Sequence, residues 1–551
     1  MQHCGAQGWW REVKKLTGQQ QQSHSQCPLS TMANNLCKGN TQMLADNINN
    51  FFHSVSADLS PLNPEVIPEV ADVSPDEFII EPYEVERKLS AINTRKSCGP
   101  DDIPNWFWRE FSPWLAEPVC AIFNASLRHG VVPTLWKCAN IVPLPKKKPP
   151  RSIQSDLRPI SLTPTLSKIL ESFVGRWIMH ELEGKLDQRQ YGCLRGRSTT
   201  HELVDLLHHW HQALDNNATI RTVFIDYAKA FDHVDHTIVV EKLCRLGVCN
   251  FLIRWICSFL SNRMQRAKLS DIFSNWLILN GSMPQGSFLG PLIFLILIND
   301  LNAKCLVFKF VDDTTLSEII EQNTVSLMNN YVTEVVDWSC NNLMNINCNK
   351  TKEMILGSMA EETFPNIIID NNIIERVKEF KLLGVNIDHN LKWECHVNSI
   401  FNKASSRLYF LKQLQRSGLS SDELLQFYIS VIRPVLEYAC PVWHNSLTVE
   451  QTSKLELIQK RALRIISSSG HLTLPTLRCR RDEMCKLFFA SMLNSNNCLH
   501  YLLPKPREGD VVNKLRNYIS LLPATARTVR FQNSFIIHAL GHYQNPVVNI
   551  V

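Results

Sequence analysis

Apolar and polar positions follow two periods along this chain. Over residues 82–96, 104–128, 164–184 and 200–215 apolar side chains recur every three to four positions, which predicts helices. Short apolar runs at 139–144, 221–226, 274–280, 304–312, 353–357 and 380–387 predict strands. After Leu391 the pattern is almost wholly helical, with Leu408, Leu411 and Leu414, then Leu455, Ile458 and Leu463, at helix spacing. Helices mixed with short strands predict an α+β fold around a largely antiparallel sheet. Residues 1–40 contain GQQQQSHSQ and predict a poorly ordered leader. The segment LADNINNFFHSV after Met43 has helical spacing, and the proline-rich SPLNPEVIPEVADVSP reads as an extended linker.

Bulk properties narrow the class. A chain of 551 residues that is 44% hydrophobic can bury a sizeable core and divide into several domains. The apolar run at 288–298 is short and contains Gly290 and Pro291, so it predicts a buried core segment and not a membrane span. No apolar signal region follows the N-terminal charges, which argues against secretion and for the nucleus or cytoplasm. In that setting the 18 cysteines read as reduced, mostly buried thiols. Zinc held by Cys479, Cys485, Cys498 and His500, or by His208, His209 and His211, is the sharper alternative, but neither group has close Cys-x-x-Cys spacing. Residues 401–551 carry 19 Lys and Arg against 9 Asp and Glu, and the rest of the chain is net acidic. Such a bias suits a polyanion, or else a solvated basic surface.

Two places carry candidate chemistry. TVFID at 222–226 is an apolar strand ending in a carboxylate, and LVFKFVDDTTL at 306–316 reads as a hairpin with Asp312 and Asp313 at its turn. Nucleotidyl transfer needs two divalent cations roughly 3.5–4 Å apart, and hard cations take carboxylate oxygens fixed at strand ends. An Asp at a strand end is also a common cap or turn former, so neither place decides alone. Between them, GSMPQGSFLGP at 281–291 packs three glycines and two prolines ahead of an apolar helix, and it offers the Gln285 amide and the Ser287 hydroxyl to a base or sugar. A plain strand-to-helix turn would look the same.

In this order, FIDYAKAFDHVDH, GSMPQGSFLGPL and FVDD resemble the three palm motifs of reverse transcriptases from retrotransposons without long terminal repeats, above all the jockey-like group. Flanking blocks agree: KSCGPDDIP at 96–104, GVVPTLWKCANIVPLPKKK at 130–148, SDLRPISLTPTLSKILE at 155–171 and DQRQYGCLRGRSTTHEL at 187–203. So do CNKTKEMILGS at 348–358, FKLLGVNID at 380–388 and RPVLEYACPVWH at 433–444. The resemblance runs from about residue 80 to past 465. It implies a right-hand polymerase fold of fingers, palm and helical thumb.

It implies a division of the chain into a leader and linker at 1–80, an extension of the fingers at 81–150, fingers and palm at 151–390, thumb at 391–470 and a helical region of unassigned role at 471–551. Asp226 and Asp312 would hold two Mg²⁺ ions, with Mn²⁺ as an alternative, and Asp313 would be the nearby second acid of the pair. Phe231 would stand beneath the incoming sugar and exclude a ribose 2′-hydroxyl, unless it is simple core packing. Gln285 and Gly286 would line the nucleotide and template pocket, and Arg158 and Lys168 would neutralise the triphosphate. Arg195 and Arg197 would touch template or primer phosphates, and Leu383 and Gly384 would grip the primer end. Lys350 is a candidate for protonating the pyrophosphate, or else a lysine without function.

The implied partners are an RNA template, a DNA primer and deoxynucleoside triphosphates, and no membrane. An inactive nucleic-acid-binding remnant of a mobile element is the second reading, which the intact acids oppose. Phe231 opposes a third, RNA synthesis. Two departures from the family stand out. An endonuclease usually precedes the polymerase, and there is no room for one before residue 80. Val311 stands where relatives often have alanine, and a β-branched residue is expected to be tolerated there in a strand.

Overall fold

The computed structural model describes residues 29–69, 76–147, 149–359, 364–467, 474–506, 521–522 and 525–543. The leader expected at 1–40 lies outside them as far as residue 28. The strands, in chain order, are β1 (Cys138–Pro145), β2 (Leu157–Leu162), β3 (Thr219–Ile225), β4 (Arg263–Leu269), β5 (Ile272–Phe273), β6 (Leu277–Leu279), β7 (Leu306–Phe310), β8 (Asp313–Ile320) and β9 (Lys352–Leu356). Short pairs follow: β10 (Ile368–Ile369) with β11 (Asn372–Ile373), then β12 (Glu375–Arg376), then the hairpin of β13 (Glu379–Leu382) and β14 (Val385–Asp388).

Two five-stranded sheets organise the molecule. In the first, β1 pairs antiparallel with β2 and parallel with β4, and β4 pairs antiparallel with β5 and β6. In the second, the order is β12-β9-β3-β8-β7, antiparallel except for β12 against β9. Every residue of β3 is buried, because the second sheet is covered on both faces. Val223 and Ile225 point into one core with the helices Thr165–Glu181 and Leu289–Ile298. Ile220 and Phe224 point into another with the helix Thr199–Asp215 and the C-terminal helices. The helix Leu289–Ile298 is buried at every position except Pro291, as a core segment should be.

The structure departs from the expected leader over residues 29–40, where the helix Ser30–Cys37 forms, whereas the helix Thr41–Ser54 is the one that the spacing after Met43 predicts. The helices Ser30–Cys37 and Thr41–Ser54 bury Leu29, Met32, Leu44, Ile48 and Phe52 with Ile141 of β1 and Ala267 of β4. These residues cover the first sheet and complete its core. The helix expected over 104–128 divides at Phe111 into Asn105–Glu110 and Ser112–His129, where Pro113 starts the second segment. Of the strand expected over 274–280 only 277–279 forms, as β6; β5 ends before that range, and both pair with β4.

The C-terminal residues close back onto the second sheet. Asp205, in the helix Thr199–Asp215, accepts the hydroxyl protons of Tyr191 and, at 2.6 Å, of Tyr501. At the end of that helix Asp215 accepts the backbone N–H of Arg527 at 2.9 Å, and the N–H and hydroxyl of Thr528 both at 2.7 Å. Burial without such donors would cost each carboxylate several kcal/mol, roughly.

Candidate active site

The register of the second sheet assembles the acids. β3 and β8 pair from Thr219↔Ile320 to Ile225↔Thr314, so Asp226, one step beyond β3, arrives opposite Asp313. β7 and β8 close at Phe310↔Asp313 around the two-residue turn of Val311 and Asp312. The hairpin thus carries its acids at and beside its tip, as the sequence suggested. Val311, however, is a turn residue with φ 62 and not a strand residue. That conformation is uncommon for a β-branched side chain and costs about 1–3 kcal/mol.

Neighbouring groups hold the strained turn. Gln190 Oε1 accepts both the Val311 N–H at 3.0 Å and the Gly192 N–H at 2.8 Å. A Cβ on Gly192 would stand 2.4 Å from Val311 Cγ2, so glycine is needed for this approach. Lys309, on β7, is fully buried, pairs with Asp187 at 2.6 Å and donates to the carbonyls of Ile298, Asn299 and Leu301.

Charge is concentrated at the turn. Burial, reinforced by the charge of Asp226, raises the Asp312 carboxyl above its ordinary range, against the pull of Lys350 and Arg158. Burial and then repulsion from Asp312 and Asp226 push Asp313 up to about 6. Lys350 lies in a segment docked along residues 226–228, where the Asn347 N–H donates to the Asp226 carbonyl at 2.8 Å. Its ammonium sits 3.0 and 3.2 Å from the two Asp226 carboxylate oxygens. Among the described residues no three His, Cys, Asp or Glu side chains form a ready-made metal cage. Neither the cysteine and histidine groups named above as zinc alternatives nor the three acids make one.

The donor chemistry nonetheless fits divalent cations. Carboxylate oxygens at strand ends are hard ligands, burial and then neighbouring negative charge raise the proton affinity of Asp312 and Asp313, and an ammonium already stands against Asp226.

The remaining candidates fall into groups. Leu383 and Gly384 form the β13–β14 turn, with φ 45 and 88, and Leu383 lines one open cleft with Asp226, Asp313 and Lys350. The Tyr438 hydroxyl donates to the Leu383 carbonyl at 2.8 Å and fixes that turn. The Phe231 ring is stacked on Phe294 with 4.7 Å between centroids. Gln285 lies beside it, since the Met283 N–H donates to the Phe231 carbonyl at 2.8 Å. The Gln285 carbonyl accepts the Ser161 N–H of β2 at 2.9 Å. Gly286 has φ 134, and a Cβ there would meet the Ser161 carbonyl at 2.7 Å, so this loop touches β2 only with glycine.

Three basic candidates sit apart from the acids or are otherwise engaged. Lys168 has Glu171, Lys96 and Asp101 as its charged neighbours, none of them in the acid set. Arg197 donates to the carbonyls of Asp187, Gln188 and Gln190, so its first task is to hold the loop that supports the turn. Arg195 is exposed. Sequence reasoning missed Lys146, whose ammonium stands among Arg158, Lys350 and Asp232. It lies in a run of three lysines, where nothing local tells one from the next. Asp232 was also missed, although it directly follows Phe231 in the quoted motif.

Residues 144–387, which include the three acids, the turn of Val311 and Asp312 and the cleft beside them, match the family model described as reverse transcriptase (RNA-dependent DNA polymerase). The chain carries a reverse transcriptase domain. The probable RNA-directed DNA polymerase from transposon BS of Drosophila melanogaster is 26% identical over 70% of this chain and 45% of its own length. The RNA-directed DNA polymerase from mobile element jockey of Drosophila funebris is 26% identical over 73% of this chain and 45% of its own. The chain therefore spans a little under half the length of these relatives. Apo telomerase from Candida tropicalis aligns over 65% of this chain and 62% of its own at 12% identity, with a TM-score of 0.34, too loose a likeness to argue from. No described helix of the chain that carries the reverse transcriptase domain is long and apolar enough to cross a membrane.

Proposed function

We propose that this chain is an RNA-directed DNA polymerase of a retrotransposon without long terminal repeats. A primer 3′-hydroxyl attacks the α-phosphate of a deoxynucleoside triphosphate paired to an RNA template, and pyrophosphate leaves. The observation that carries this reading is the meeting of Asp226 with the turn at 312–313 through the β3–β8 register, in a cleft that extends to Leu383. Asp226 and Asp312, with Asp313 beside them, would hold two Mg²⁺ ions, which when bound activate the hydroxyl and neutralise the triphosphate. Lys350 would give up its place on Asp226 to the metal and stand ready to protonate the leaving pyrophosphate.

The other groups take supporting roles. Phe231, braced by Phe294, bars a ribose 2′-hydroxyl. Gln285 and Gly286 line the nucleotide and template pocket, and Arg158, joined by Lys146, neutralises the triphosphate. Lys168 serves that task from farther off. Leu383 and Gly384 hold the primer end, Arg195 meets template or primer phosphate, and Arg197 orders the loop beneath. Residues 81–150 extend the fingers, 151–390 form fingers and palm, and the basic helices of 391–470 form a thumb that grips the duplex by its backbone. The nucleus or cytoplasm is where such a chain would meet its RNA.

The test is primer extension on an RNA template with Mg²⁺, comparing wild type with Asp312→Asn. Extension should fall about a thousandfold, with template binding retained. Equal extension by the two proteins would remove Asp312 from the chemistry. Binding without extension by wild type would leave the inactive-remnant reading in its place.

A further inference from the structure

Asp232 is a half-buried carboxylate one residue past Phe231, and the nucleotide chemistry above gives it no task. Its Oδ1 accepts a hydrogen bond from Gln285 Nε2 at 2.7 Å. The backbones around the pair are joined as well: the Met283 N–H donates to the Phe231 carbonyl, and the Ser282 N–H donates to the Val234 carbonyl at 2.9 Å. Gln285 is thus held at its main chain by Ser161 and, among the described residues, at its side chain by Asp232.

A glutamine amide has its donors on one side and its acceptor on the other. A carboxylate can only accept, so Asp232 draws the NH₂ side toward itself and turns the Gln285 carbonyl oxygen the opposite way. Without the carboxylate the two orientations would be close in energy, and the amide would present donor and acceptor to a ligand in either sense. The carboxylate is retained at a cost. Burial pushes it up to about 6, and the Gln285 hydrogen bond and the charges of Lys229 and Lys146 only partly offset that. An acid kept against desolvation calls for a task, and the group it touches is the one assigned above to the nucleotide and template pocket.

We infer that Asp232 is a positioning residue, which fixes the orientation of the Gln285 amide and through it the binding of the incoming nucleotide. This rests on the polymerase reading and deepens it. Steady-state extension on an RNA template separates the two. Asp232→Asn keeps an oxygen acceptor and should leave the nucleotide KM within about threefold of wild type. Asp232→Leu, of similar size but with no acceptor, should raise KM about tenfold with little change in kcat. In a Gln285→Ala background Asp232→Leu should add nothing, because its effect passes through the amide.

A second pair of variants does not depend on the leucine substitution folding. Gln285→Glu sets two carboxylates against each other and should raise KM more than Gln285→Ala. Adding Asp232→Asn, whose amide can donate to the new carboxylate, should bring KM back down. An unchanged KM in Asp232→Leu, additive effects in the Gln285→Ala background, or no recovery in the exchanged pair would overturn the inference while the polymerase reading stood. A wild type that extends no primer would overturn the polymerase reading and this inference with it.

Discussion

Replacing Asp313 by Asn should stabilise the metal-free protein while damaging its chemistry. In the folded chain Asp313 is pushed up to about 6 from 3.8, first by burial and then by Asp312 and Asp226. A shift of that size corresponds to about 3 kcal/mol as a ceiling. Asp313 is open to solvent on one side, so screening reduces the effect to roughly 1 kcal/mol. The sign follows from proton binding. Between pH 4 and 6 the folded state holds the proton more tightly than the unfolded state, so stability falls as pH rises through this window and stays lower above it.

Asn carries no such charge. In EDTA at pH 8 the melting temperature of Asp313→Asn should exceed that of wild type, and the difference should shrink at pH 5.5. Saturating Mg²⁺ should reverse the order, because a cation neutralises the acids of wild type and finds fewer ligands in the variant. Thermal melts at two pH values, with and without Mg²⁺, measure all of this. A variant less stable than wild type in EDTA at pH 8 would refute the account of Asp313 as a strained, repelled acid.

Two further outcomes follow from contacts described above. Phe231→Ala removes the braced ring, and discrimination against ribonucleotides in single-nucleotide incorporation should fall roughly a hundredfold; unchanged sugar selectivity would make the ring mere packing. Tyr501→Phe removes one donor from buried Asp205 and should cost about 1–3 kcal/mol, read as a lower urea midpoint. A midpoint equal to wild type would show that the C-terminal segment contributes nothing there.

The parts of the site legible in the sequence are those whose signal is local. TVFID shows a buried strand ending in an acid, and the two apolar runs around Asp312 and Asp313 show a hairpin, because the period and its turn lie within a dozen residues. β4 was not legible. Its inward positions include Arg263, which donates to the Phe259 carbonyl at 3.0 Å, and Gln265, which donates to Asn49 at 3.2 Å, so polar side chains stand where apolar ones would mark the period. The left-handed turn at Val311 was read as strand because nothing in FVDD announces a positive φ; the bracing by Gln190 comes from another part of the chain. The partnership of Asp232 with Gln285 spans 53 residues, and no local pattern reports it.

The clasp of Asp205 and Asp215 by distant partners sets a timetable for synthesis. The helix Thr199–Asp215 leaves the ribosome before the midpoint of the chain, but Tyr501 follows Asp205 by 296 residues, and Thr528 follows Asp215 by 313. At roughly 5–20 residues per second the wait lasts from about 15 seconds to a minute. During that interval these carboxylates lack their last donors, and the floor beneath the acid-bearing hairpin is unfinished. A chain released short of residue 528 therefore lacks the donors of Asp215, and that carboxylate keeps its desolvation cost unrelieved.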